Sequence, residues 1–320
     1  MSQAGNFIRC HSSLNHYRKL YHRERDNLLQ NSEVQGSDRA VYATWKLSYD
    51  KLDVSTRRFL QICSMLHHEG ISEEMFERAA LSQLQLEDCE LQNEVTGLLN
   101  LLGKEASGWS SWKFHEVVKS LGSYSLIEFD QQNSTYGVHP LVQQWSASTM
   151  RENRDLTRKC VVSIIGLSIP RTFKDEDYKY RRTVLKHIMN ATRTLSATDI
   201  DLSIATGIAD VYDEQGQWNK AEELRVAVME KKKRLVGEDH SDTLSSMAHL
   251  AATYWNQGRW NDAERLEVLV MEKRMRLLGE DHSDTLSSMA NLAATYWNQG
   301  RWNDAERLGV LVMEKRRRSP

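Results

Sequence analysis

The sequence predicts a mainly α-helical chain: a helical domain carrying one small β-hairpin, followed by an α-solenoid. Three observations predict it. Residues 237–278 and 279–320 are near copies that differ at five of 42 positions (His249/Asn291, Glu267/Gly309, Met275/Arg317, Leu277/Ser319 and Leu278/Pro320). A fixed period of this length marks units that stack to share a core. Elsewhere apolar residues recur at helical spacing, and the chain holds only three prolines to interrupt it. Between Ile127 and Val138 the period shortens to two, the signal of a hairpin.

Length and composition narrow the class. A chain of 320 residues has room for about two domains. It is 40% hydrophobic and 27% charged, an ordinary globular balance. A net charge of −2 supplies no basic field for nucleic acid. Cys10, Cys63, Cys89 and Cys160 stand far apart with no C-x-x-C pair, which predicts reduced core thiols. No apolar run approaches the ~18 residues of a membrane span, and nothing at the start reads as a secretory leader. The expectation is a cytoplasmic protein without a membrane partner.

In chain order, residues 1–36 read as a polar helical tail, ended by the Gln35-Gly36-Ser37-Asp38 break. Residues 37–150 form the next domain. Trp45, Leu47 and Leu52 open its apolar pattern, and Asp53 restarts a helix bearing Phe59, Leu60, Ile62 and Cys63. Ser72 stands at cap spacing ahead of Met75 and Phe76. Residues 82–108 read either as a helix from Leu84 to Leu102 or as an insertion. Trp112, Val117, Val118 and Leu121 mark another helix. Ile127 and Phe129 alternate with Glu128 and Asp130, a polar turn follows, and Tyr136 and Val138 return. Pro140 suits the first turn of a helix bearing Leu141, Val142 and Trp145.

Helices followed by a hairpin read as a winged-helix-like domain. The helix that would read DNA, Ser110–Leu121, carries only Lys113 and Lys119 against Glu116, which argues against a nucleic-acid partner. Residues 151–195 hold two helices split near Pro170, a linker or cap for the solenoid. The solenoid itself divides into 196–236, 237–278 and a truncated 279–320.

Each solenoid unit reads as two helices. Ser241 or Asp242 caps the first. Leu244, Met247, Ala248, Ala251 and Tyr254 give it an apolar face, and Gly258 ends it. Asn261 restarts the chain, with Ala263, Leu266, Val270 and Met271 along one side of the second helix. Tyr254 and Trp260 fill the gaps between helices. Gln215-Gly216-Gln217-Trp218 is a weaker copy of Gln257-Gly258-Arg259-Trp260, one period upstream.

The spacing Met289-x-x-Leu292-Ala293-x-x-Tyr296, then Gly300, Trp302 and Ala305, resembles the tetratricopeptide repeat. The 42-residue period with its acidic G-E-D-H-S-D link is similar to the kinesin-light-chain type. In such repeats the first helices line a concave groove. The resemblance implies a groove of Ser245, Ala248, Ala252, Trp255 and Asn256 in one unit, and Ser287, Ala290, Ala294, Trp297 and Asn298 in the next. In the first unit the same positions are Ser203, Thr206, Asp210, Asp213 and Glu214. An indole beside an amide suits a protein or peptide ligand. The alternative for Trp255 and Trp297 is packing on the next repeat.

A second resemblance covers residues 1–195. Ala4–Ile8, Val41–Tyr49, Phe59–Ser64 and His67–Ser72 resemble the end of the nucleotide-binding region of fungal NOD-like receptors, signal-transduction ATPases of the NB-ARC type. Residues 1–36 would be the tail of the helical subdomain. In that family a winged-helix Met-His-Asp-like motif places a histidine on the β-phosphate of ADP. The matching stretch here is Val138-His139-Pro140, so His139 is the implied nucleotide sensor, with proline at the aspartate position.

No phosphate-binding loop precedes it. The nearest string, Gly97 to Glu105, has one residue too many between glycines and Glu105 where a Mg²⁺ ligand is needed. His115-Glu116-x-x-Lys119 lacks the second histidine of a zinc site. The chain is therefore read as no enzyme, with no metal and no cofactor; ADP or ATP enters only with an upstream P-loop domain. The function expected is protein–protein interaction, either as the signalling end of such a receptor or as a freestanding kinesin-light-chain-like adaptor. Self-association stays open.

Overall fold

The computed structural model describes residues 38–150, 153–172 and 174–318. The tail read over 1–36, Cys10 with it, and the Ser319-Pro320 end of the third repeat lie outside these residues. The chain divides into two compact units, one ending at Ser196 and one beginning at Ala197. Both are mainly helical, and two small two-stranded sheets are the β-structure of the first.

In the first unit, α1 (Asp38–Tyr49) leads into α2 (Val54–Cys63), whose N-cap Asp53 accepts from Thr56 N at 2.8 Å. α3 (Glu73–Leu81) begins after Ser72, whose hydroxyl makes no cap hydrogen bond; Glu73 and Glu74 in the first turn favour the helix start instead. Residues 82–108 resolve into α4 (Cys89–Leu102), capped by Asp88, and a minimal hairpin of β1 (Lys104–Glu105) and β2 (Gly108–Trp109). The sequence gives no alternation over strands this short. The hairpin is held by Ser110 N donating to Gly103 O at 2.8 Å.

α5 (Ser111–Ser123) follows, then β3 (Glu128–Asp130) and β4 (Thr135–Gly137), the expected hairpin, in the register Phe129 opposite Tyr136. Ile71 pairs with Tyr136 on the far side of β4 as an isolated antiparallel bridge, which extends the hairpin by one residue. Tyr136 and Val138 are buried, but Phe129 is exposed, so β3 is an outer edge. α6 (Pro140–Ser148) starts with proline at its first position. α7 (Arg154–Ser168) packs on α3, α4 and α2, and α8 (Asp175–Ala191) packs on α7, so this pair belongs to the first unit.

The centre of that unit is three fully buried phenyl rings, Phe59, Phe76 and Phe114, with centroids 5.3–5.7 Å apart. Cys63 and Cys160 are buried thiols; burial raises both, Cys160 to about 12, so neither is a reactive thiolate. Cys89 is exposed at the start of α4, against the expectation of a core thiol, because it falls on the solvent side of the first turn.

α8 is fastened to the loop before α3 by polar side chains. Asn190 Nδ2 donates to Met65 O and Leu66 O, both at 2.9 Å. His187 Nδ1 accepts from His67 N at 3.2 Å, which leaves the proton on Nε2 to donate to Gly70 O at 3.0 Å. Burial, with Lys186 and His67 nearby, lowers the His187 pKa from 6.5 to about 4. The folded pKa lies below the unfolded one, so the contribution is complete above the unfolded value and is lost as pH falls through the folded value. Urea unfolding of this unit is expected to weaken by about 3 kcal/mol between pH 6.5 and 4, and His187→Gln should flatten that dependence.

The second unit opens with a 3₁₀ turn (Ala197–Asp199) and stacks three helix pairs: α9 (Leu202–Glu214) with α10 (Trp218–Val236), α11 (Ser241–Asn256) with α12 (Trp260–Leu278), and α13 (Ser283–Asn298) with α14 (Trp302–Arg318). The cap of α11 is neither Ser241 nor Asp242. His240 Nδ1 accepts from Asp242 N, and His282 repeats this at Asp284, both at 3.2 Å. Each first helix ends in the same turn. Gly258 N donates to Trp255 O and Arg259 N to Tyr254 O, with Gly258 at φ +74°, a conformation in which glycine carries no side-chain penalty.

Candidate partner-binding face

Burial sorts the first helices into two faces. Leu244, Met247, Leu250 and Ala251 are buried in α11, as are Leu286, Met289 and Leu292 in α13. Small core clusters tie them to Val270 and Val312 of the second helices. The opposite stripe carries the positions expected to line the groove. Ala252, Trp255 and Asn256 are exposed, and Ser245 is half-buried. Ser287, Ala294 and Trp297 are exposed, and Asn298 is half-buried. Ala248 and Ala290 are half-buried and pack against the core clusters, so they form the floor of the stripe. In α9, Ser203, Thr206, Asp210, Asp213 and Glu214 are all half-buried.

Trp255, which the third repeat follows, is 38% exposed; Trp297 is 60% exposed. Stacking therefore covers part of Trp255 while leaving an accessible face. Trp260 and Trp302 do not fill the inter-helix gap as expected: they are exposed at the first position of each second helix, where the tight turn carries them to the rim. Trp302 instead lies edge-on to Trp297, centroids 4.7 Å apart.

The repeats are joined by a clasp that recurs at the same period. Arg259 lies over the Tyr254 ring and donates to both oxygens of Glu222 in the preceding repeat, at 2.9 and 3.0 Å, while Gln257 donates to Glu222 at 2.8 Å. Arg301, Glu264, Tyr296 and Gln299 repeat the arrangement. Position 217, one period earlier, is glutamine. The acidic link is also engaged: Lys273 reaches Asp239 at 2.7 Å and Lys315 reaches Asp281 at 2.8 Å. The hydrogen bond from Lys273 holds the Asp239 carboxyl low, and both acidic links belong to the scaffold.

Sequence reasoning missed a third set of residues, buried between successive first helices. In the first joint, Arg225 donates to Asp210 at 2.9 Å and to Asp213 at 2.6 and 2.9 Å, and the Thr253 hydroxyl donates to Asp213 at 3.1 Å. In the second joint the equivalent residues are Glu267, Ala252, Trp255 and Thr295. Glu267 is 6% exposed, and the Thr295 hydroxyl is a polar neighbour of its carboxyl, although neither Oε2 nor that hydroxyl closes a hydrogen bond of normal length. Burial raises the Glu267 pKa, with Thr295 partly opposing it. The signal available in the sequence was the variation itself: Arg225, Glu267 and Gly309 occupy one position in repeats that are otherwise close copies.

In the first unit, His139 is an exposed N-cap whose Nδ1 accepts from Leu141 N at 3.2 Å. Gly97 sits inside α4, so its amide serves the helix and not a phosphate. A cleft of about 870 Å³ lies between the β3–β4 hairpin and α8. Arg182 and Lys186 line it opposite Glu128 and Asp130, so it favours no one ligand charge. Among the described residues no group of three or more His, Cys, Asp or Glu could hold a metal ion, and no helix is long and apolar enough to cross a membrane.

Comparison with known proteins agrees with the repeat geometry. Residues 202–242, 243–284 and 285–319 each match the tetratricopeptide repeat family model, and residues 47–155 match a domain of unknown function, DUF7779. The second unit is thus built of tetratricopeptide repeats, a scaffold for protein–protein interaction. No curated protein sequence matches the chain. A kinesin-light-chain-like protein of nearly identical TPR-like repeats from Podosopora anserina is a structural neighbour at 19% identity, covering 56% of this chain and 85% of that one, with a TM-score of 0.38. BtubC from P. vanneervenii follows at 14% identity, 70% and 82% coverage and a TM-score of 0.40. A signal-transduction ATPase with numerous domains and a tetratricopeptide repeat sensor, from Pyrococcus horikoshii, matches at 12% identity over 98% of this chain and 59% of its own length, with a TM-score of 0.34.

Proposed function

We propose that this chain is the interaction and relay part of a signalling receptor, and that the exposed stripe of α11 and α13 binds its protein or peptide partner. The observation that carries the binding reading is the stripe itself. Trp255 and Trp297 present large apolar area beside Asn256 and Asn298, on helices that bury Leu244, Met247, Leu286 and Met289 in the core. The winged-helix-like unit is the relay in this reading, and an upstream NTPase domain would supply the nucleotide. His139 suits the sensor role chemically: with Nδ1 engaged as a cap, its proton lies on Nε2, a donor for a phosphate oxygen. The protein acts in the cytoplasm on this reading.

A freestanding adaptor of kinesin-light-chain type is the second reading. It is favoured by the 42-residue period and by the lysine clamps on the acidic link. Both readings share the stripe, and one experiment tests it. Affinity capture of partners by the full chain should be lost in the Trp255→Ala, Trp297→Ala double variant while the helical circular dichroism is retained. Loss of helicity, or capture unchanged, would remove the stripe as the binding surface.

A further inference from the structure

The two inter-repeat joints carry opposite charges at one buried position, Arg225 in the first and Glu267 in the second. In the first, the Arg225 guanidinium is matched within the protein by two carboxylates and ends at Asp210, whose side chain is 42% exposed. The head group therefore comes up to the stripe. In the second joint the long cation is replaced by the shorter Glu267, so the carboxyl stops beneath the surface. Asp210 has become Ala252 and Asp213 has become Trp255, so neither carboxylate of the first joint is repeated in the second. Among the described residues no lysine or arginine acts on the Glu267 carboxyl. Glu267 Oε2 closes no hydrogen bond of normal length, and the Thr295 hydroxyl beside the carboxyl is a neutral neighbour, not a counter-charge. Arg274, two turns along α12, is engaged by Ser245, Ser288 and the Asp284 carbonyl. No lysine or arginine lies among the stripe residues of any of the three first helices.

A buried carboxyl without a counter-charge is costly, and an indole at the repeat position of Asp213 suits a cation. We propose that the joint between the second and third repeats is a subsite for a basic side chain, arginine or lysine, of the bound peptide. Glu267 is its counter-ion and Trp255 its wall. The incoming head group takes the place that the Arg225 head takes in the first joint. This rests on the stripe being the partner-binding surface.

The test is a random dodecapeptide phage library panned on the full chain, with the selected peptides synthesised and measured against variants. Selected peptides should carry an arginine or lysine. Glu267→Gln should weaken them about tenfold or more, as should norleucine in place of the basic residue. The two changes together should cost no more than one. Glu267→Gln should also raise the melting temperature, because it removes a buried carboxyl that has no counter-charge; a purely structural residue would lower it. Peptides that need Trp255 and Trp297 but are indifferent to Glu267→Gln or lack a basic residue would overturn the subsite and leave the stripe standing. Peptides indifferent to the tryptophan pair, or no selectable peptide, would overturn the stripe and the subsite with it.

Discussion

Replacing Arg225 with alanine should cost the repeat unit about 3–5 kcal/mol, because it leaves buried carboxylate without its cation. Asp213 is only 14% exposed on its side chain, and Arg225 is 9%. The three hydrogen bonds that Arg225 makes to Asp210 and Asp213 are its whole coordination in the joint. Asp210→Ala should cost far less, since that carboxylate is 42% exposed and retains water. Adding Asp213→Ala to Arg225→Ala should recover much of the loss, as removal of both partners of a buried pair does. Urea unfolding monitored by circular dichroism, with hydrogen exchange over Leu202–Val236, reads all four proteins. A loss below about 1 kcal/mol for Arg225→Ala would mean that the joint contributes little to stacking.

Phe114→Ala should have an effect of similar size in the other unit, about 3–5 kcal/mol. Phe114 is fully buried, with Phe59 at 5.3 Å, Phe76 at 5.7 Å, Trp109 at 5.9 Å and Tyr136 at 6.0 Å. It thus links α2, α3, the minimal hairpin and β4 through one ring. The cavity has helices and strands around it, so collapse to fill it is restricted. Thermal unfolding should show the first unit melting early while hydrogen exchange in α11 and α13 stays at the wild-type level. A single, unshifted transition would contradict this assignment of the core.

The repeats were legible because the same spacing appears more than once. Gly258 and Gly300, the apolar faces of α11 and α13, and the Pro140 helix start all follow from local chemistry that one sequence displays. The His240 cap was hidden because histidine is not among the usual capping side chains; only the turn geometry brings Nδ1 to the Asp242 amide. The β1–β2 hairpin was hidden because two-residue strands have no period. Trp260 looked like core by its apolarity, whereas its place at the start of a second helix puts it on the rim. The Glu267 joint was the least legible. A charged residue at a varying repeat position reads as surface, and its burial depends on α13 folding over it.

The stripe is tested most directly by hydroxyl-radical oxidation of the full chain with and without its captured partner. Trp112, 74% exposed on α5 of the other unit, serves as the internal reference. Partner binding should slow oxidation of Trp255 and Trp297 several-fold relative to Trp112. Unchanged rates at both indoles, with protection of the second helices or of the first unit instead, would contradict the assignment of the stripe as the binding surface.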